Sequence, residues 1–344
     1  MTTSPVRVGV IGTTPYAETH MERIARHPHA VLSAVAGRNP VRASAVGERH
    51  DVHGVFDSYE SLLASGFVDA VAVVAPDELH EPIARAAFDA GIHVLCEKPL
   101  SRTPGSARRM VDAAEQSGLV NMSYFALRTT PQHRYLHSLL RAGDIGRVLS
   151  VDIELSHGFF RGSEYNWRFD TSLGGGVVAD LGCYVFDLAR WYVGEIQAVV
   201  THGAQHVYRP RPDGAAYPSA DDSAFGVLSF ANGAHGSFHV SVVSHVGAGK
   251  QRNVVKLQGE SGRLELVHTF AGSRLLRVGD EEEELKVPVD FDAPDGDAEF
   301  IDAIVSGGSV KPDFVDGWRV QQVVAAAEES ARSGTWIEVK GEAA

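Results

Sequence analysis

Two short stretches of this chain hold the residues best suited to chemistry. The first is Ile92-His93-Val94-Leu95-Cys96-Glu97-Lys98-Pro99-Leu100. Residues 92–95 are apolar or β-branched and suit a strand. In open α/β sheets the carboxyl ends of the strands face ligands. Lys98 stands at such an end, and Pro99 restricts its backbone to an extended form. Most Glu-Lys pairs are simply solvated; the strand in front of this one argues for a fixed ammonium. The second stretch is Leu173-Gly174-Gly175-Gly176-Val177-Val178-Ala179-Asp180-Leu181-Gly182-Cys183-Tyr184. Apolar periodicity after Gly176 predicts a helix running to Trp191. Asp180 and Tyr184 are four apart and share a helix face. Three glycines give up much backbone freedom on folding, and a helix start with little side-chain bulk lets a ligand approach unpaired N–H groups.

These groups suit hydride transfer coupled to movement of a proton. A phenol is too weakly acidic to be a good base at neutrality, but a nearby ammonium favours the phenolate. Lys98 and Tyr184 are therefore expected to form one acid–base unit. Tyr184 exchanges the proton, and Lys98 tunes it and holds the substrate oxygen. Asp180 orients Lys98 or binds a second hydroxyl. Cys183 points about a third of the helix perimeter away from Tyr184 and is given no role.

The elements that must position these residues alternate regularly in the first half. Val6 to Gly12 reads as a buried strand ending in glycine, and a helical pattern with Met21 and Ile24 follows. Strand, turn and helix form the first unit of a mononucleotide fold. The fingerprint is Gly12-x-Thr14-x-x-Ala17, with Thr14 where a glycine is usual. Thr13, Thr14 and Tyr16 lie in this turn and are expected to meet a cofactor. Strands follow at Val31–Ala36, Gly54–Phe56, Val68–Val74 and Leu119–Tyr124. No acid stands after the second strand to hold a ribose hydroxyl; Arg38 suits a 2′-phosphate, which leans toward NADP(H). Ala75, Pro76 and His80 follow the central strand and are expected at the cofactor with Glu97. The alternation implies a parallel sheet covered on both faces.

After a bridging helix at Arg128–Arg141 the pattern changes. Alternating segments at 148–157, 197–208, 223–230, 234–245, 253–258 and 263–268 read as a mainly antiparallel sheet. Residues 209–221 are too polar and proline-rich for a core. Glu281 to Glu284 reads as a hairpin tip or solvated edge. Helices at 295–306 and 315–332 and a closing strand at 335–339 end the chain, and this last part can pack back on the first domain.

The chain has 344 residues, of which 44% are hydrophobic. That length exceeds what one core usually serves, so two domains are expected, 1–125 binding a dinucleotide and 126–344 binding substrate and self-associating. The net charge of −13 argues against a nucleic-acid surface, which needs positive charge. Cys96 and Cys183 show no metal-ligand spacing and read as intracellular thiols, so no metal site is expected. No secretory signal or membrane-length apolar run is apparent, and the cytoplasm is expected.

The Gly12 turn, His80, the 91–99 stretch with Glu97-Lys98-Pro99, the Gly174–Gly176 run, Asp180-Leu181-Gly182 and the tail from Asp316-Gly317-Trp318 together resemble the glucose-fructose oxidoreductase / inositol dehydrogenase / MocA family over nearly the whole chain. The resemblance implies an N-terminal Rossmann domain, a second domain with a large open antiparallel sheet, and dimers or tetramers formed through that sheet. It implies that Lys98 is catalytic and that the helix after the glycines supplies the second group. Tyr184 resembles the branch with tyrosine, rather than histidine, at that place. Tyr165, Asn166, Trp167 and Arg168 then fall near the sugar, with Tyr124 and Arg128 beside them. The implied activity is NAD(P)-dependent interconversion of a hydroxyl and a carbonyl on a sugar, nucleotide-linked sugar or cyclic polyol. The rivals are a glycosidase of similar fold that uses the cofactor transiently, a cofactor-binding regulatory protein, and a dihydrodiol-type dehydrogenase.

Overall fold

A computed structural model describes residues 4–247 and 250–340. The chain forms two compact units. The first runs through Ala126 and takes in Pro294–Gln321; the second comprises Leu127–Ala293 and the chain after Gln321.

The first unit alternates strand and helix: β1 Val6–Ile11, α1 Pro15–Arg26, β2 Ala30–Ala36, α2 Pro40–Arg49, β3 Gly54–Phe56, α3 Tyr59–Leu63, β4 Ala70–Val73, α4 His80–Asp89, β5 His93–Glu97, α5 Pro104–Ser117 and β6 Asn121–Tyr124. The six strands are parallel, in the order β3-β2-β1-β4-β5-β6. Burial on both faces explains the continuous apolar run of β4, every residue of which is buried. Proline opens α1, α2 and α5, where its missing N–H costs nothing. The order reverses between β1 and β4, which makes their carboxyl ends the switch point where such sheets bind ligands.

In the second unit come α6 Pro131–Ala142, β7 Val148–His157, α7 Cys183–Tyr192, β8 Ile196–Ala204, β9 Ser223–Phe230, β10 His235–Ser241, β11 Gln251–Gly259, β12 Arg263–Thr269, β13 Gly272–Val278 and β14 Glu282–Leu285. Later come α8 Gly296–Ser306, α9 Phe314–Ser333 and β15 Ile337–Glu338. Nine strands form one sheet in the order β14-β13-β12-β11-β7-β10-β9-β8-β15. β7 and β10 pair in parallel, and the other neighbours are antiparallel. Helices α6 and α7 pack on this sheet, over Ile153, Leu155, Phe238 and Leu257, which are buried. The alternate positions of the register carry polar groups: Lys256 is opposite Asp152, and Arg252 pairs with Glu154 at 2.9 Å.

The C-terminal helices complete the first unit. Phe300 and Ile301 of α8 join Val8, Val10, Met21 and Tyr124 on one face of the six-stranded sheet. Phe314 and Trp318 of α9 join Val71, Val94 and Met110 on the other.

Two readings of the sequence need correction. β13 was not anticipated, because Leu275 and Leu276 are adjacent and break the alternation that marks a half-buried strand. Residues 209–221 contain no regular element, as expected, yet Arg209 is fully buried. It is matched there: Nη1 lies 3.0 Å from Asp222, Nη2 donates to the Phe160 carbonyl, and the guanidinium carbon stands 3.8 Å from the centre of the Phe169 ring. A paired, stacked arginine tolerates burial that an unpaired one would not. The glutamates of 282–284 form an exposed edge strand, held by Arg274 and Arg277. Among the described residues no helix is long and apolar enough to cross a membrane.

Candidate active site

In the first unit, the expected cofactor residues gather at the carboxyl ends of β1, β2, β4 and β5. Gly12 has φ +146°, and a Cβ there would stand 2.3 Å from the Val74 carbonyl oxygen, so no larger residue fits between β1 and β4. Thr14 is the N-cap of α1: its hydroxyl accepts the Ala17 N–H at 3.2 Å. The position where a glycine is usual is thus used to hold the helix start. Ala17 is fully buried, and Tyr16 is 40% exposed. Thr13 packs against Gly37 at the end of β2, and Arg38 beside it is exposed. The turn and the N-terminus of α1 make an anion-binding arrangement of the dinucleotide type.

Ala75 and Pro76 follow β4. His80 is buried, and its ring bridges two loops, with Nε2 2.9 Å from the Ala75 carbonyl and Nδ1 3.0 Å from that of Pro99. Glu97 is also buried. One of its oxygens accepts the Lys98 N–H at 3.1 Å, and the other lies 3.2 Å from Nε2 of His20. Both side chains, expected at the cofactor, bind the loops after β4 and β5. Lys98 is half-buried, directly after β5, and its bond to Pro99 is cis.

In the second unit, Tyr165, Trp167 and Arg168 lie on a loop that the glycine run grips. The Arg168 guanidinium stacks over the Trp167 ring, 4.7 Å from its centre, and its Nε is 3.5 Å from Asp180. The Arg168 carbonyl accepts the Gly176 N–H at 2.8 Å, and a Cβ at Gly175 would stand 2.4 Å from that carbonyl oxygen. Close backbone approach is thus the reason for Gly175, while Gly174 and Gly176 have positive φ values of 80° and 143°. Asp170, fully buried, accepts from the Tyr165 hydroxyl at 3.1 Å and the Ser172 N–H at 3.0 Å. Burial opposes its ionisation, but these hydrogen bonds and Arg211 leave its pKa below the usual value.

The helix after the glycines differs from expectation in two respects. A π-helical turn, Val178–Gly182, precedes α7 and carries Asp180, so Asp180 and Tyr184 are not set on one regular α-helical face. Its start is also occupied: the Asp221 carboxylate accepts the Val178 N–H at 3.3 Å and the Asp221 carbonyl the Val177 N–H at 3.2 Å. These N–H groups do not await a ligand. Burial pushes the Asp221 pKa up to about 6, and that of Glu328 up to about 7, with Asp221 adding to the latter. Asp180 and Tyr184 are both half-buried.

Tyr124 and Arg128, expected at the substrate, are engaged elsewhere. Tyr124 is fully buried in the first unit, its hydroxyl bonded to Arg23 and its ring edge-on to His20. Arg128 is buried in the second, forked onto Asp187 at 2.8 and 2.6 Å with Trp191 against its guanidinium. Sequence reading missed His20, Asp170, Asp221 and Asp297. Only Asp170, two residues after the Tyr165–Arg168 run, had a local signal. Among the described residues no group of three or more His, Cys, Asp or Glu side chains is arranged to hold a metal ion.

Comparisons with known proteins match both units. Residues 6–125 match the model of an oxidoreductase family with an NAD-binding Rossmann fold, and residues 133–265 that of the Gfo/Idh/MocA C-terminal domain. Levoglucosan dehydrogenase of Pseudarthrobacter phenanthrenivorans is 28% identical, covering 97% of this chain and 98% of its own. D-xylose 1-dehydrogenase (NADP(+)) 2 of Haloferax volcanii is 29% identical over 96% of this chain and 99% of its own. D-glucoside 3-dehydrogenase of Escherichia coli is 27% identical over 98% and 99%. Among solved structures, levoglucosan dehydrogenase in complex with NADH superposes with a TM-score of 0.89 at 26% identity, covering 98% of this chain and 99% of that one.

Proposed function

The chain belongs to the Gfo/Idh/MocA oxidoreductase family, and we propose that it interconverts a ring hydroxyl and a carbonyl on a free or glycosidic sugar, with NADP(H) preferred. The observation that carries this reading is Lys98, fixed at the end of β5 by the Glu97 carboxylate, on the same sheet edge as the Gly12 turn. The nicotinamide, when bound, supplies or takes the hydride. Gly12, Thr13, Thr14, Tyr16 and Ala17 at the head of α1, with Ala75 and Pro76, would hold the dinucleotide. Arg38 would meet a 2′-phosphate.

Lys98 would bind the reacting oxygen and stabilise its negative charge. Tyr184 would exchange the proton, its phenol made more acidic by that ammonium. Asp180, paired with Arg168, would orient a neighbouring hydroxyl, and Trp167 and Tyr165 would offer aromatic surface to a sugar ring. The sugar class is supported by the relatives that act on levoglucosan, D-xylose and D-glucosides. The reading includes self-association through the uncovered face of the nine-stranded sheet, where Phe225 is 53% exposed, no nucleic-acid partner, and a cytoplasmic location, which the two free, buried thiols favour.

The test is a screen for NADPH and NADH formation or consumption with levoglucosan, D-xylose, alkyl glucosides, inositols and the corresponding keto-sugars. Turnover with at least one, lost by more than a hundredfold in Lys98→Ala with nucleotide still bound, is the expected result. Glycoside cleavage without net change in nucleotide, or a fully active Lys98→Ala, would overturn it.

A further inference from the structure

The carboxylate that holds the Lys98 N–H is itself bound by a buried histidine from another element of its unit. His20, in the middle of α1, has no exposed surface. Its Nδ1 lies 2.7 Å from Asp297 in the first turn of α8, and its Nε2 lies 3.2 Å from Glu97, the last residue of β5. The second oxygen of Glu97 holds the Lys98 N–H. A continuous path therefore runs from α8 through α1 to the lysine's backbone. Two more groups on α1 and one on β6 complete the surroundings. The Tyr16 and Tyr124 rings stand edge-on to the imidazole at 5.5 and 4.7 Å, and Arg23 lies 3.5 Å from the other oxygen of Asp297.

A neutral imidazole has one N–H and can serve only one of two carboxylates; the imidazolium donates to both. Burial by itself pushes His20 toward neutrality, but Asp297 and then Glu97 outweigh it and hold its pKa at about 9. The clamp is thus charged, and doubly bonded, at neutral pH. Removing the cation would leave Asp297 and Glu97 buried with less to bind them, and Glu97 free to turn away from the lysine.

We propose that His20 is a positioning residue for Lys98: held between Asp297 and Glu97, it locks the carboxylate that anchors the lysine's backbone and so fixes where the ammonium can reach. This rests on the role given to Lys98 above. The competing view is that the cluster only joins α1, α8 and β5 and acts through global stability.

Two measurements on the full chain separate these. Amide hydrogen exchange reports the Lys98 N–H directly, without substrate. His20→Gln should speed exchange at Lys98 at least tenfold relative to Val94 and Leu95 on the same strand; a merely structural loss would speed all three alike, and an unchanged ratio overturns the proposal. The pH profile of kcat is the second. Asp297→Asn removes one of the two carboxylates that keep His20 charged. It should move the alkaline limb of kcat down by about one pH unit, matched by a lower His20 titration midpoint in histidine-labelled NMR spectra. A lowered midpoint with an unmoved limb overturns the proposal, and so does full kcat in folded His20→Gln. Where His20→Gln fails to fold, the milder Asp297→Asn carries both measurements. An inactive Lys98→Ala beside a fully active His20→Gln rejects this proposal alone; an active Lys98→Ala rejects the catalytic reading beneath it.

Discussion

The carboxylate of Asp221 accepts the backbone N–H of Val178 at 3.3 Å and so closes the start of the helical segment that carries Tyr184. Its charge in turn makes Glu328, itself buried, harder to ionise. Their folded pKa values, about 6 and about 7, lie above the ordinary 3.8 and 4.5. The folded chain therefore binds these protons more tightly than the unfolded one. The resulting stability is complete below the ordinary values and is lost as pH rises through about 6 and 7. Asp221→Asn keeps an acceptor for Val178 but has no charge to bury. It should unfold at higher urea than the parent at about pH 8, by roughly 1–3 kcal/mol, and show little advantage near pH 4. An advantage that grows toward acid would contradict the argument.

Arg128 and Asp187 form a buried, two-pronged pair. Removing one partner strands a charge, so Asp187→Ala should cost about 3–5 kcal/mol in denaturant unfolding. The double variant Arg128→Met with Asp187→Leu should recover much of that loss. If Arg128 instead served the substrate, Arg128→Met would raise KM with stability unchanged.

Arg38 is exposed just beyond β2. Arg38→Ala should raise KM for NADPH about tenfold while changing that for NADH less than threefold, since one charge-assisted contact to a phosphate contributes on the order of 1.5–3 kcal/mol. Equal effects on both nucleotides would remove the case for NADP(H).

At Gly12 an added methyl meets the Val74 carbonyl oxygen at 2.3 Å, with φ at +146°. Gly12→Ala should weaken dinucleotide binding, read by NADPH fluorescence, by at least tenfold and lower the melting temperature. Wild-type binding would mean that the β1–β4 ends do not approach as closely as they do here.

Much of the first unit was legible because a strand buried on both faces writes its burial as an apolar run; β4 does so throughout, and β5 does from Val94 to Cys96. Lys98 was legible for the same reason, as the charge that ends such a run. The clamp behind it was not. His20 and Asp297 are 277 residues apart, and no local pattern joins them. Asp221 was hidden differently, since an acid in an irregular stretch looks like solvated surface until the helix start it closes is known. Arg209 shows the limit of composition, for its loop is polar while its own side chain is enclosed by an acid and a ring.

The apolar residues that α8 and α9 lend to both faces of the six-stranded sheet bear on how the protein is made. Translation delivers the six strands early, but Phe300, Ile301, Phe314 and Trp318 leave the ribosome much later. Until then the apolar positions they cover on either side of the nascent sheet stay open to water. A gene fragment cut after residue 126 would yield a product that aggregates, rather than a minimal nucleotide binder.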